Sequence, residues 1–418
     1  MSPLSFLPLM IIFTGGYLMV KLNFFYILHP IRTLKFTFNG RNTRESVISL
    51  ILALAGTLGV GNIVGVAYGI YRGGPGSVFW LALSALFSSA IKYAEVSLSA
   101  KYNMGYGIIS VIDGGTPNFL SKFYAILALT LSFAMGSVLQ AEAISASVSA
   151  FRGLRPVIIP AIFIFTASVC LLGKEQIKKA VAIVIPAATL LYTGMCLYVI
   201  LCEFERIPPV LEYIISSAFN FSALRGGISA FIISSGIKEG FARGLLSNEA
   251  GAGTSSFSHT SHTKSSTPCI TDEDYAKRAG IYGIIEVIFD TLLLCPLTAM
   301  VVLLADHNGN FTGTLSEISK IFETYIGGFA PFLLFMAVTA FAVSTTLCWY
   351  YYGKVSLSYL TSGRYTSIFS ALFILSFALG LIFEIDVLMH INDIILFLLS
   401  IITLYTVIKN RASLGKPR

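Results

Sequence analysis

Residues 54–65 read Leu54-Ala-Gly-Thr-Leu-Gly-Val-Gly-Asn-Ile-Val-Gly65. They lie inside an apolar stretch, 46–71, that reaches the roughly 20 residues a helix needs to cross a bilayer. Glycines at 56, 59, 61 and 65 fall at the depth where such a helix should be most apolar. Each interior glycine costs about 1 kcal/mol of helix propensity relative to alanine, so the cluster invites the helix to unwind at Gly59-Val60-Gly61-Asn62. Close packing through small residues is the alternative reading, and it suffices for Gly65. Bare carbonyls and amides in hydrocarbon cost several kcal/mol each, so an unwound stretch at that depth has to face protein, an ion or a ligand.

The rest of the chain sets this stretch in a membrane. Of 418 residues, 55% are hydrophobic and 12% charged, against roughly 25% charged in a soluble domain, and the mean hydropathy is +0.79. That composition excludes a soluble or disordered chain. Long apolar stretches recur from end to end, without the short alternating segments of a barrel, which leaves an all-α polytopic membrane protein. Eleven spans are expected, near 5–28, 46–71, 77–99, 123–149, 155–172, 180–202, 227–258, 279–304, 329–352, 366–383 and 388–408. No basic residue precedes the first apolar stretch, so a cleaved signal peptide is not expected. The six cysteines lack metal-ligand spacing and read as reduced packing residues. No polar linker sets off a soluble domain, so residues 1–418 read as one membrane domain.

A net charge of +7 in a soluble protein would suggest a nucleic-acid partner; here it reports orientation. One set of alternate connections carries nineteen Lys and Arg, among them Lys21, Lys101, Lys277, Lys409 and Arg411, whereas the opposite set carries six. Basic loops stay in the cytoplasm, which puts the N-terminus outside and the C-terminus inside the cell membrane. An even number of spans would destroy this partition.

The seventh span repeats the anomaly of the second. It runs Gly236-Ile-Lys-Glu-Gly-Phe-Ala-Arg-Gly-Leu-Leu-Ser-Asn-Glu-Ala-Gly-Ala-Gly253, and Asn62-x-x-Gly65 is echoed by Asn248-x-x-Gly251. Five spans separate the two starts, so the segments run in opposite directions. That is the trace of two inverted five-helix repeats, 46–202 and 227–408, each opening with a discontinuous helix, and it leaves 5–28 as an additional N-terminal helix. At such breaks the N-terminal ends of half-helices present free amides and the C-terminal ends present carbonyls. The first suit a carboxylate and the second Na⁺, a combination that a zwitterionic amino acid with a cotransported cation satisfies, although helix breaks alone do not select it over other small anions.

Five motifs now stand together: Gly56-Thr-Leu-Gly-Val-Gly-Asn-Ile-Val-Gly-Val-Ala67, Gly73-Gly-Pro-Gly76 with Phe79-Trp80, Arg243-Gly-Leu-Leu-Ser-Asn-Glu-Ala-Gly251, Phe289-Asp-Thr291 with Cys295, and Ser344-Thr-Thr-Leu-Cys-Trp-Tyr-Tyr-Tyr-Gly353. Jointly they resemble the alanine or glycine:cation symporter family (sodium:alanine symporters), over nearly the whole chain from the second span onward. The resemblance implies a LeuT-type fold and, by position, a substrate site at Thr57, Gly59 and Gly61, at Gln140, at Leu246, Ser247, Asn248 and Glu249, and at Thr345 and Trp349. It also implies a Na⁺ ion where the carbonyls of Ala55 and Leu58 face Ser344 or Thr345, with no organic cofactor. Leu246 and Cys348 depart from the usual Phe and Gly of the family, and both touch the implied pocket.

Several of these residues carry a plain structural reading as well. Gln140, in an apolar helix, can bond a neighbouring carbonyl; Trp349 can simply pack. An intramembrane carboxylate such as Glu249 is a functional hypothesis by default, with Arg243 and Lys238 as alternative partners. Lys92 and Glu95, three apart, are expected to neutralise each other, and Glu142, Glu286 and Asp290 to pair or cap within the bundle. His259 and His262 read as part of a solvated cytoplasmic loop. The leading expectation is a Na⁺-coupled symporter of a small neutral amino acid working by alternating access; a proton-coupled transporter of another solute, a passive channel and a membrane-embedded enzyme using Glu249 and the histidines are the rivals. No GxxxxGK[ST] loop is present for ATP.

Overall fold

The computed structural model describes residues 6–38, 43–102, 104–151, 153–219, 235–259, 272–306, 311–383 and 387–415, and among them the regular structure is helical throughout. Seven helices are long and apolar enough to cross a membrane: Ser77–Tyr102, Phe119–Val148, Arg155–Leu172, Glu175–Cys202, Glu273–Ala305, Ala330–Thr361 and Ile391–Lys409. An eighth span is a pair, Leu50–Thr57 and Val60–Gly73, bent by 62° at its junction. The expected spans at 5–28 and 366–383 contain the shorter apolar helices Leu7–Lys21 and Thr366–Ile382. The expected span at 227–258 holds the helices Ser235–Asn248 and Ser256–His259, the first of them short and made polar by Lys238, Glu239 and Arg243; its residues 227–234 lie outside the described residues. Two expected helices carry π turns, at Ala134–Val138 and Ile288–Leu294.

Close approach positions the helix Ser235–Asn248. Lipid tails are as apolar as leucine, so helices associate in a bilayer through packing of small residues and through hydrogen bonds rather than through a hydrophobic drive. Gly236, Gly240 and Gly244 recur every four residues and form one stripe on this helix. A Cβ on Gly240 would stand 2.6 Å from Ser77 O and from Trp80 Cβ, while Gly236 faces Gly73 O and Gly244 faces Ser84. The stripe therefore seats the first half of the seventh span on Ser77–Tyr102. Across the core, a Cβ on Gly136 would overlap Cβ of Trp349, so the π turn of the fourth span lies directly on Ala330–Thr361.

The side on which chain ends meet is also defined. Lys21 Nζ donates to Arg411 O, Lys101 Nζ to Ser413 O at 2.9 Å, and Tyr93 Oη to Gly415 O at 2.8 Å. The ends of Leu7–Lys21, Ser77–Tyr102 and Val387–Lys409 thus share one face, the face whose connections hold most of the basic residues.

Candidate substrate and cation site

At the first break, the helix Thr43–Thr57 stops, Gly59 is extended at φ −118° and ψ −166°, and Val60–Asn62 forms a single 3-10 turn before Val64–Gly73 begins. The unwinding falls on the four residues where glycine spacing places it. Stopping the helix frees the carbonyls of its last turn. The hydroxyl of Thr345, from the middle of Ala330–Thr361, donates to Ala55 O at 3.1 Å and lies 3.3 Å from Leu58 O. The hydroxyl thus bridges two carbonyls at the end of the first half-helix. Hard oxygen donors at the negative end of a helix dipole suit an alkali cation, so the residues present fit Na⁺. Ser344 is not part of this group: its hydroxyl donates to Ala340 O within its own helix at 2.7 Å.

Gly59 packs closely against both Thr345 and Gln140. A Cβ there would lie 3.0 Å from Thr345 Oγ1 and 3.5 Å from Gln140 Oε1. Gln140 Nε2 donates to Met135 O at 3.2 Å, a carbonyl of the π turn, and its buried Oε1 makes no hydrogen bond. The plain reading of Gln140 accounts for half of its amide and leaves the other half unspent. Trp349 is fully buried, edge-on to Tyr352 at 5.4 Å, with Nε1 unbonded. Thr57 turns its hydroxyl back toward Ala53 O and Leu54 O, both at 3.4 Å. A Cβ on Gly61 would meet nothing within 4 Å, and Leu246 is half-buried against the apolar core.

The second break begins at Glu249, whose φ of 53° is left-handed, and continues through Gly251 and Gly253 at 86° and 80°. Glycine tolerates this region at no steric cost, whereas glutamate does not. Asn248 Oδ1 accepts Ala250 N at 2.9 Å, turning the chain locally, and Asn248 Nδ2 donates to Thr291 Oγ1 at 2.9 Å. Glu249 accepts Thr254 Oγ1 through one oxygen, and its other oxygen makes no hydrogen bond.

Asp290 joins the two breaks. Asn62 Nδ2 of the first break donates to Asp290 Oδ1 at 2.5 Å, and Ser247 Oγ at the end of the half-helix Ser235–Asn248 donates to Oδ2, as does Thr291 Oγ1 at 2.8 Å. The carboxylate is buried and has no ion pair among the described residues. The sequence gives Asp290 only a pairing or capping role; its place in the Phe289-Asp-Thr291 motif is the one signal for more.

Two expectations change and a third is extended. His259 is buried rather than solvated, with Nε2 3.6 Å from Glu286 Oε2, because the short helix Ser256–His259 turns into the bundle; His262 lies outside the described residues. Arg243 does not serve Glu249: it pairs with Glu239 at 3.2 Å and covers the Tyr68 ring at 5.2 Å. Lys92 pairs with Glu95 at 3.7 Å, as its spacing suggests, and more closely with Glu286 at 3.2 Å.

The family described as the sodium:alanine symporter family matches residues 2–411. An uncharacterized transporter of Haemophilus influenzae is 30% identical over 410 residues, covering 93% of this chain and 87% of that protein. The sodium/alanine symporter AgcS of Methanococcus maripaludis is 30% identical over 387 residues, covering 87% and 82%. Among solved structures, MhsT in complex with L-phenylalanine superposes with a TM-score of 0.61 over 89% of each chain at 12% identity, a likeness of fold.

Proposed function

The chain belongs to the sodium:alanine symporter family, a multi-pass, cation-coupled amino-acid symporter, and from that premise we propose that Na⁺ entry drives uptake of a small neutral amino acid, alanine or glycine. The observation that carries the reading is the contact of Thr345 Oγ1 with both Ala55 O and Leu58 O. It ties a helix-end oxygen set on the first break to a helix of the other half of the chain, so that an ion bound there holds the two together.

Substrate lies beside that ion, against Gly59, Gln140 and Thr345, with Gly61, Ser247, Asn248 and Glu249 from the breaks and Trp349 as a wall that limits side-chain size. The unbonded Oε1 of Gln140 accepts from the substrate ammonium, and amides of the unwound chain receive its carboxylate. Alternating access follows from the two repeats, 46–202 and 227–408, rocking about this site, with Asp290 as the tie between their opening helices. The N-terminus faces outward and the C-terminus the cytoplasm, as the basic connections require.

The test is uptake of labelled alanine and glycine into proteoliposomes under an imposed Na⁺ gradient and, separately, a pH gradient. Accumulation with Na⁺ alone is expected. Accumulation driven by the pH gradient alone transfers the coupling role to a proton, and accumulation of no small amino acid under either gradient overturns the reading.

A further inference from the structure

A broken helix exposes carbonyls at the end of its first half and amides at the start of its second, and in lipid each needs a partner. At the second break one side chain reaches the carbonyl end of the first half and a hydroxyl at the approach to the second. Lys92, from the middle of Ser77–Tyr102, is fully buried. Its Nζ donates to Asn248 O, the last residue of Ser235–Asn248, at 2.6 Å, and to Ser255 Oγ, one residue before Ser256–His259. Its third neighbour is Glu286 Oε1 at 3.2 Å, itself accepting Ser255 Oγ at 2.7 Å, and Glu95 Oε1 completes the shell at 3.7 Å. Glu95 in turn accepts Gly251 N at 2.9 Å through its other oxygen.

We propose that the second break is a monovalent-cation site whose permanent occupant is the tethered ε-ammonium of Lys92. Four oxygens, from a helix-terminal carbonyl, a hydroxyl and two carboxylates, surround a single positive centre, the ligand set of an alkali or ammonium ion. A positive charge at the carbonyl end of Ser235–Asn248 also opposes the helix dipole favourably. An isolated ammonium without these partners could not be buried at this depth, and the carboxylates without the ammonium could not either. The first break thus takes its cation from the bath, and the second carries its own, which fixes both half-helices to Ser77–Tyr102: any separation of them strips the ammonium of Asn248 O and Ser255 Oγ and leaves it with the carboxylates of Glu95 and Glu286.

Lys92→Ala removes Cγ, Cδ, Cε and Nζ, the atoms of n-propylammonium. The purified variant is expected to unfold about 5 °C or more below the wild type. Millimolar propylammonium should restore most of that difference saturably, while leaving the wild type unmoved. Propanol, of the same shape without charge, should restore none, and Lys92→Met, which fills the space with a neutral chain, should be destabilised and insensitive to propylammonium. Uptake should fall about tenfold or more and return with propylammonium. The thermal measurement does not depend on which solute is carried, so it fails separately from the symporter reading. No response of Lys92→Ala to propylammonium, or an equal response to propanol, overturns the proposal. If Lys92→Ala is recovered only as aggregate, propylammonium present from extraction onward is expected to restore a monodisperse species; aggregate persisting with it overturns the proposal equally.

Discussion

A hydroxyl that bridges two carbonyls of another helix does something its neighbour in sequence cannot. Thr345 and Ser344 carry the same functional group, yet only Thr345 reaches Ala55 O and Leu58 O, while Ser344 bonds its own helix. Thr345→Val, which keeps the shape and removes the oxygen, is expected to raise the Na⁺ concentration for half-maximal uptake about tenfold, a loss of about 1.4 kcal/mol, and Ser344→Ala to leave it within about twofold, inside the usual ±0.5 kcal/mol of an uninvolved site. Equal effects in a Na⁺ titration of uptake would remove the cation assignment. Asp290 ranks with them. Its three neutral donors come from the first break, the second and its own helix, so Asp290→Ala leaves buried donors unpaired at about 1–3 kcal/mol each; uptake should be lost while helical circular dichroism persists. Gln140→Ala should weaken substrate affinity without changing the Na⁺ dependence, which a two-substrate uptake titration separates. Thr345, Asn248 and Glu249 are visible in sequence as polar groups in apolar surroundings. Which of them meet is not, because contact across 290 residues of chain depends on how helices cross.

The two breaks differ in how they are made. The first unwinds through glycine in ordinary extended and 3-10 geometry, so its glycines serve close approach: Gly59→Ala pushes a methyl toward Thr345 Oγ1 and should reduce uptake more than stability. The second uses left-handed backbone at Glu249, Gly251 and Gly253, where a Gly253→Ala side chain would meet Ile108 Cγ2 at 2.7 Å and should lower the unfolding midpoint measurably. The glycine pattern of the first break was legible because propensity is local. The π turns were not, since no residue type dictates them; Gly136 allows the one at Ala134–Val138 to touch Trp349, and a Gly136→Ala clash with that ring's Cβ is expected to destabilise the core. Outside the membrane, the helix Leu315–Ile326 starts with a capping box in which Glu317 N donates to Thr314 Oγ1 at 3.4 Å and Glu317 Oε2 accepts Thr314 N at 3.5 Å, with Thr312 N as a further donor to the same oxygen at 2.9 Å. Slight burial raises the Glu317 carboxyl, but hydrogen bonds from Thr312 and Thr314 outweigh it and hold it below the usual carboxylate range. A depressed value stabilises the folded form above the ordinary carboxylate range and loses that stabilisation as pH falls through the folded value. The protection of this helix against hydrogen exchange, taken relative to the intrinsic rate at each pH, should therefore fall on acidification in the wild type, and Glu317→Gln should abolish that change in protection.

At the scale of the molecule, the basic residues gather where three helix ends meet the C-terminal residues 411–415. A membrane-impermeant lysine reagent applied to intact cells is expected to spare Lys101 and Lys409 and to label Lys320; the reverse pattern would invert the orientation. Composition alone determined that this chain lives in a bilayer, because surface charge at 12% cannot cover a protein in water, and hydropathy with glycine spacing determined the spans and the first break, because both act over one or two helical turns. The partnership of Asp290 with both breaks, the burial of His259 and the four-oxygen shell of Lys92 were decided only in three dimensions. A polar side chain in lipid must find a partner, but the sequence states the need without stating the partner, which is supplied by whichever helix the small-residue stripes bring close enough.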